Sequence, residues 1–154
     1  MLAIALALAG AQLPMFEPFV GACWRAQFSA TVNDTHCFEP MYGGAHVRDR
    51  HEVKSDGKIV YAGETVYSVE GAEIVFTYVN STGGIGRGKV SRTGDILKFV
   101  GSMRGSPDKA PEPIDSEWRV VDDNNYEVRS LVKSPSNPGS TPLKFTRVQE
   151  TPPH

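Results

Sequence analysis

The sequence has no surplus of charge of either sign. Its 16 Lys and Arg residues nearly balance 18 Asp and Glu residues, and the formal net charge is -2. The basic residues are scattered among the acidic ones and form no stripe. Binding to a phosphate backbone requires concentrated positive charge. We therefore expect no nucleic-acid partner.

The sequence also lacks an apolar run long enough to span a bilayer, which takes about 20 residues, so we expect no membrane span. The apolar N-terminal stretch is shorter and ends in the small residues Ala9, Gly10 and Ala11. An apolar run followed by small residues is typical of an export signal. We expect residues 1–11 to be that signal and the mature protein, beginning near Gln12, to be periplasmic or secreted. A buried N-terminal helix is the alternative.

Cysteine is scarce. Cys23 and Cys37 are the two in the chain, which is too few for a structural zinc site, and they form no Cys-x-x-Cys redox motif. In an oxidising compartment they could form one disulfide between the first two strands, across a hairpin loop near residues 29–34. Two buried thiols are the other interpretation. Spacing alone leaves both open.

No helix of three turns is evident, and short alternating segments occupy most of the chain. We predict strands at about 20–28, 35–42, 45–54, 59–69, 73–81, 85–92, 96–103, 116–122, 125–133 and 142–148. Turn residues separate them. Each segment buries one face, and Trp24 near the start and Arg147 near the end bracket the series. We therefore expect an all-β protein, in which residues 12–154 form one up-and-down antiparallel β-barrel of 8 to 10 strands.

Alternation also predicts which side chains face inward. In the segment from Ala45 to Val53, one face carries Val47, Asp49 and His51, and the opposite face carries Arg48 and Arg50 among other charged residues. Burying the second face would be costly, so we expect Asp49 and His51 inside. Between 74 and 80, the pattern does not decide between the face of Phe76, Tyr78 and Asn80 and the opposite one.

Several short motifs follow one another in the order of a known superfamily. They are the segment from Phe16 to Trp24, Tyr42-Gly43-Gly44, the segment from Gly63 to Tyr67, the segment from Tyr78 to Ser81, and Phe145-Thr146-Arg147. In this order the chain resembles uncharacterised bacterial lipocalin-like proteins of the calycin superfamily. The resemblance implies an up-and-down barrel with an internal cavity, in which Trp24 packs against Arg147 and closes the barrel.

The chain also resembles the nitrobindin-like haem barrels in its first strand and closing arginine. Haem iron needs an axial ligand, and that branch places it just before the last strand. Residues 140–145 of this chain contain no His, Cys, Met or Tyr. We therefore expect no haem and no other cofactor.

The barrel pattern, the export signal and the interleaved aromatic residues favour an exported protein that binds a small, partly apolar ligand. The candidate ligand-binding residues are Asp49, His51, Tyr67, Tyr78, Asn80 and Trp118. One alternative is a cavity enzyme, an isomerase or hydrolase, that uses His51 with Asp49. Another is an envelope module that binds a second protein. The sequence leaves the oligomeric state open.

We expect no metal site. His36, His46 and His51 are the candidate ligands, but His36 lies on a different strand from the other two, and His46 should face away from His51.

Overall fold

The computed structural model describes residues 13–133 and 141–149 as one closed antiparallel β-barrel. The predicted export signal at 1–11 lies outside these residues. The strands are β1 (Ala22–Gln27), β2 (Val32–Met41), β3 (His46–Ser55), β4 (Lys58–Glu70), β5 (Glu73–Asn80), β6 (Ile85–Thr93), β7 (Ile96–Arg104), β8 (Glu112–Asp122), β9 (Asn125–Ser130) and β10 (Leu143–Val148). Each strand pairs with its neighbours in sequence, and β1 pairs with β10. The predicted fold class is confirmed.

Tight turns join most of the strands, as expected from their sequences. Between β3 and β4, for example, Asp56 and Gly57 both have positive φ, of 49° and 77°, as a two-residue hairpin turn of type I′ requires. The connection between β7 and β8 is shorter than the strands predicted at 96–103 and 116–122 imply, because β7 ends at Arg104 and β8 begins at Glu112. No helix of the described residues has the length and hydropathy needed to cross a membrane.

An aromatic cluster fills one part of the barrel. A short 3-10 turn at Pro14–Phe16 precedes β1 and directs Phe16 and Phe19, both completely buried, into the core. Phe16 stacks on Tyr67 with ring centroids 4.2 Å apart, and Phe19 lies against Phe38, with centroids 5.2 Å apart. The segment before the first strand thus packs inside the barrel and limits the space left for a cavity.

The barrel closes between its first and last strands. Trp24 of β1 lies opposite Arg147 of β10, and the Arg147 Cζ atom lies 4.6 Å from the centroid of the indole ring. The indole N–H of Trp24 donates to the Phe19 carbonyl. Arg147 donates to the carbonyls of Asp123 and Pro18. One residue pair therefore links β1, β10 and the segment preceding β1.

Cys23 and Cys37 lie directly opposite each other on β1 and β2. Their sulfur atoms are joined in a disulfide, with Cα atoms 4.1 Å apart, and the described residues contain no free cysteine.

We predict that reducing this disulfide lowers the free energy of unfolding by about 3 kcal/mol, because the bond closes a short loop and restricts the unfolded chain. Denaturation with and without reductant measures the change, and the Cys23→Ala/Cys37→Ala variant should show no reductant effect. Titration of two free thiols in denatured, unreduced protein would exclude the bond.

Candidate functional site

A cavity of about 230 Å³ lies inside the barrel. One part of its lining is polar and comes mainly from β2 to β5; the other part is apolar and comes mainly from β4 to β8. The polar lining residues are His36, Asp49, His51, Thr65, Tyr78 and Ser116. The larger apolar and aromatic ones are Tyr67, Phe76, Phe99, Met103, Ile114 and Trp118.

Five of the six predicted ligand-binding residues line this cavity: Asp49, His51, Tyr67, Tyr78 and Trp118. The sixth, Asn80, does not. It ends β5, where its side chain accepts hydrogen bonds from Thr82 and the Gly84 N–H and donates one to the Gly105 carbonyl. The amide group of Asn80 therefore stabilises the turn between β5 and β6.

The two faces of β3 separate as the alternation predicts. Asp49 is 2% exposed and lines the cavity. Arg48 and Arg50 lie on the other face, where both contact the carboxylate of Glu39 at 2.6 Å and 3.1 Å. Arg48 and Arg50 thus form ion pairs with Glu39 of β2 on the outer face, whereas Asp49 and His51 face the cavity.

A hydrogen-bonded chain of acidic, histidine and tyrosine side chains runs along the polar side of the cavity. His36 Nδ1 lies 2.8 Å from a carboxylate oxygen of Asp49, and His36 Nε2 lies 3.2 Å from Asp34. Asp34 also contacts His51 Nδ1 at 3.1 Å. The chain continues from His51 Nε2 to the hydroxyl of Tyr78 at 3.1 Å.

Beyond Tyr78, the chain ends at the hydroxyl of Tyr61, 2.6 Å away. Burial raises the pKa of Tyr78, and the neighbouring Tyr61 raises it further. Tyr78 therefore keeps its proton at neutral pH and can donate a hydrogen bond.

His36 is protonated at neutral pH. Burial alone would lower the pKa of His36, but the charge of Asp49 and hydrogen bonds with Asp34 and Asp49 outweigh burial and raise it to about 10. Burial would likewise raise the pKa of Asp34, yet the hydrogen bonds and charges of His36 and His51 hold it well below its usual value of 3.8. The imidazolium of His36 thus lies between two carboxylates.

The hydrogen-bonded pairs differ from the pair of Asp49 and His51 that the sequence suggested. Asp49 and His51 share a face of β3, but Asp49 contacts His36 and His51 contacts Asp34. The register of β2 against β3 explains the difference, because it places His36 directly opposite His51, with ring centroids 4.6 Å apart.

Sequence reasoning did not include three members of the chain among the ligand-binding residues: Asp34 and Tyr61, which it did not single out, and His36, which it considered only as a metal ligand. A usable signal was present on both strands that carry them. Asp34, His36 and Phe38 alternate with period two on β2, so that they share one face, just as Asp49 and His51 do on the neighbouring strand. Tyr61 likewise alternates with Thr65 and the predicted site residue Tyr67 on β4, so it shares their face.

Gly63 of β4 provides the space in which His51 meets Tyr78. It lies opposite His51 in the β3–β4 register. A Cβ atom at this position would lie 2.5 Å from both His51 Nε2 and the Tyr78 hydroxyl, which is closer than nonbonded atoms approach each other. Any side chain at residue 63 must displace one of the two partners.

We predict that Gly63→Ala breaks the hydrogen bond between His51 and Tyr78. The imidazole ¹⁵N resonances of His51 should shift in NMR spectra of the variant, and those of His46 should not. Gly105→Ala is the matched control, since a Cβ there meets no atom within 4 Å. Unchanged His51 resonances in Gly63→Ala would contradict the prediction.

The fold and the site together define a closed ten-stranded antiparallel barrel whose cavity is polar on one side and apolar on the other. No protein-family model and no curated protein matches the sequence. Among solved structures, the chain is similar to the crystal structure of Rv2717c from M. tuberculosis. The two share 17% sequence identity with a TM-score of 0.57, over 93% of this chain and 100% of that one. At this identity, the likeness concerns the fold.

Proposed function

We propose that this protein is a calycin-like barrel that binds a small ligand with an apolar ring and a neutral or cationic polar group. The observation that carries the proposal is the division of the cavity lining. Phe76, Phe99 and Trp118 offer surfaces on which a ring can pack, and Asp49 and His51 offer hydrogen-bonding groups on the other side. Ligand sites typically combine a mainly apolar lining with a few convergent polar groups.

The volume limits the size of the ligand. Sites for drug-sized molecules enclose about 300 to 1,000 Å³, whereas this cavity encloses about 230 Å³. The buried Phe16, stacked on Tyr67 of the lining, helps to restrict the space. A ligand with one ring and a short polar substituent fits these dimensions, and a long acyl chain does not.

The charge of the polar side limits the ligand's chemistry. The cluster contains the two carboxylates of Asp34 and Asp49 and the two imidazoles of His36 and His51. Two carboxylates offset the charge of even two protonated imidazoles, so the cluster carries no net positive charge. A buried anionic group on the ligand would therefore lack compensation, whereas an amine or a hydroxyl can donate to the acceptors present.

A matched set of probes tests this proposal. Benzylamine, benzyl alcohol and benzoate share one ring and differ in the polar group, and calorimetric titration of chelator-treated, metal-free protein measures the affinity of each. We expect benzylamine or benzyl alcohol to bind at least tenfold more tightly than benzoate. Tighter binding of benzoate would contradict the proposed charge preference, and no binding of any probe would contradict the proposed ligand class.

Two phenylalanine substitutions locate the binding. Ile114→Phe adds volume inside the cavity and should weaken binding of the preferred probe. Val79→Phe adds the same ring at an exposed position of β5 and should leave the affinity unchanged. Equal affinities in the two folded variants would place the ligand outside the cavity.

We also propose that the protein is exported. The disulfide between Cys23 and Cys37 supports this, because such bonds persist in oxidising compartments. N-terminal sequencing of protein recovered from the periplasm or medium should begin near Gln12. Recovery of the full-length chain exclusively from the reducing cytoplasm would contradict export.

A cavity enzyme is the second candidate function, and the hydrogen-bonded chain through His51 favours it. His51 lies between Asp34 and Tyr78, an arrangement in which an imidazole can accept and pass on a proton. Such an enzyme would be an isomerase or a hydrolase. If turnover of a probe substrate is found, His51→Gln should abolish it with the fold retained, and undiminished turnover would exclude this role.

A further inference from the structure

Asp34, His36 and His51 bring three potential metal-ligand atoms together. An Asp34 carboxylate oxygen, a nitrogen of His36 and a nitrogen of His51 all lie within 4.8 Å of one another. Asp34 itself is 3.2 Å from His36 Nε2 and 3.1 Å from His51 Nδ1. Ligands bound at about 2.0 to 2.2 Å around a tetrahedral ion lie roughly 3.3 Å apart. The two Asp34 contacts already match this spacing, and the three atoms have to approach one another by at most about 1.5 Å to coordinate one ion.

The backbone sets this arrangement. Asp34 and His36 lie two residues apart on β2 and share a face, and the register places His51 of β3 directly opposite His36. Ligands on regular, adjacent strands are held more precisely than ligands on loops. The sequence-based expectation of no metal site rested on the placement of His36 and His51 on separate strands. The register of β2 against β3 brings these two histidines side by side.

The outer nitrogen of each histidine already has a partner. Asp49 contacts His36 Nδ1 at 2.8 Å, and the Tyr78 hydroxyl contacts His51 Nε2 at 3.1 Å. Histidines that bind metals usually donate their second N–H to a carboxylate or another acceptor, which fixes the tautomer and the ring. With Asp49 and Tyr78 in these roles, His36 Nε2 and His51 Nδ1 are the nitrogens that face Asp34 and that become the ligand atoms when an ion takes the place of their protons.

We propose that Asp34, His36 and His51 bind one divalent transition-metal ion of the zinc class, with an open coordination position toward the cavity. Two imidazoles and one carboxylate suit such an ion better than Mg²⁺ or Ca²⁺, which prefer oxygen ligands. His36 and His51 both line the cavity, so a water or ligand atom there can complete the coordination.

The charges balance when the ion is bound. Metal ions bind histidine as the neutral imidazole, so the two positive charges of the ion offset the carboxylates of Asp34 and Asp49. A buried site without net charge avoids the desolvation cost of an unpaired ion. The metal site does not depend on the organic ligand proposed above.

Calorimetric titration of chelator-treated protein with zinc sulfate tests the site. We expect one Zn²⁺ per chain, with no comparable binding of Mg²⁺. Asp34→Asn and His51→Gln should each weaken zinc binding at least tenfold. His46→Gln is the matched control, because His46 lies on the same strand as His51 but contacts Ser68 outside the cluster; its affinity should equal that of the wild type.

If a variant does not fold, an NMR measurement on the wild type still tests the site. Zinc should shift the imidazole ¹⁵N resonances of His36 and His51 and leave those of His46 in place. Any one of four results would overturn the proposal. They are no zinc binding by the wild type, an equal loss of zinc affinity in His46→Gln, unchanged zinc affinity in Asp34→Asn and His51→Gln, and zinc-induced shifts confined to other histidines. Because these titrations use the metal alone, their failure is distinguishable from a failure of organic-ligand binding.

Discussion

Replacing Trp24 with alanine should lower the free energy of unfolding by about 3 to 5 kcal/mol, the usual cost of deleting a large buried aromatic side chain. Trp24 is 2% exposed and contacts Phe19, Tyr126 and Arg147. Its removal therefore leaves a cavity where the first and last strands meet. Denaturant titration of the variant and the wild type measures the difference.

Two further substitutions test whether the effect of Trp24→Ala comes from barrel closure or from the loss of apolar surface in general. Arg147→Ala should cost less than Trp24→Ala, because a cation over an aromatic ring contributes about 0.5 to 1 kcal/mol at an exposed site. Phe28→Ala, at a position 49% exposed just beyond the end of β1 at Gln27, should cost less than about 1 kcal/mol. A Trp24 variant as stable as the wild type would show that closure does not depend on this residue.

The second large effect is expected at His36. His36→Gln preserves much of the side-chain volume but removes the positive charge between Asp34 and Asp49. Removing one partner from a buried ionic cluster typically costs about 3 to 5 kcal/mol, because the remaining charge is uncompensated. His46→Gln removes a half-buried histidine that contacts Ser68 and should cost less than about 1.5 kcal/mol.

The stabilisation that His36 provides should decrease as the pH rises. Because the folded state raises the pKa of His36 from 6.5 to about 10, its contribution is complete below pH 6.5 and is lost as the pH rises toward 10. The stability difference between wild type and His36→Gln should shrink over that range in chelator-treated protein. A constant difference would show that His36 does not titrate between two carboxylates.

The contribution of Asp34 to stability changes with pH in the opposite direction. The pKa of Asp34 in the folded state lies well below its usual value of 3.8, so its contribution is complete above that pH and is lost as the pH falls further. Together, the two groups predict greatest stability of the cluster between about pH 4 and 6.5. The titratable groups that face His36 across the cluster are Asp34, Asp49 and His51.

The ten strands could be predicted because alternation is a local property of the sequence. β6, predicted at 85–92, is observed at Ile85–Thr93, and β5, predicted at 73–81, is observed at Glu73–Asn80. The largest deviation is at β8, which begins at Glu112 rather than 116, within a segment rich in proline and charge. Such residues weaken the strand pattern without preventing pairing at that end of the strand.

The site was less predictable because it depends on register. The positions of Asp49 and His51 follow from the alternation of one strand, but their partners Asp34 and His36 lie on another. A shift of one residue between β2 and β3 would turn His36 away from the cavity. The role of Gly63 is also visible only in three dimensions, since it depends on where the His51 and Tyr78 side chains meet.

The most direct test of the central claim, that the cavity inside the barrel is a ligand site, is an NMR map of the preferred ring probe on the folded protein. We predict that side-chain resonances of Phe99, Met103 and Ile114, which line the cavity, shift together as the probe is added. Resonances of exposed residues such as Val79 should stay in place. Shifts confined to exposed positions, with the cavity resonances unchanged at saturation, would contradict the claim.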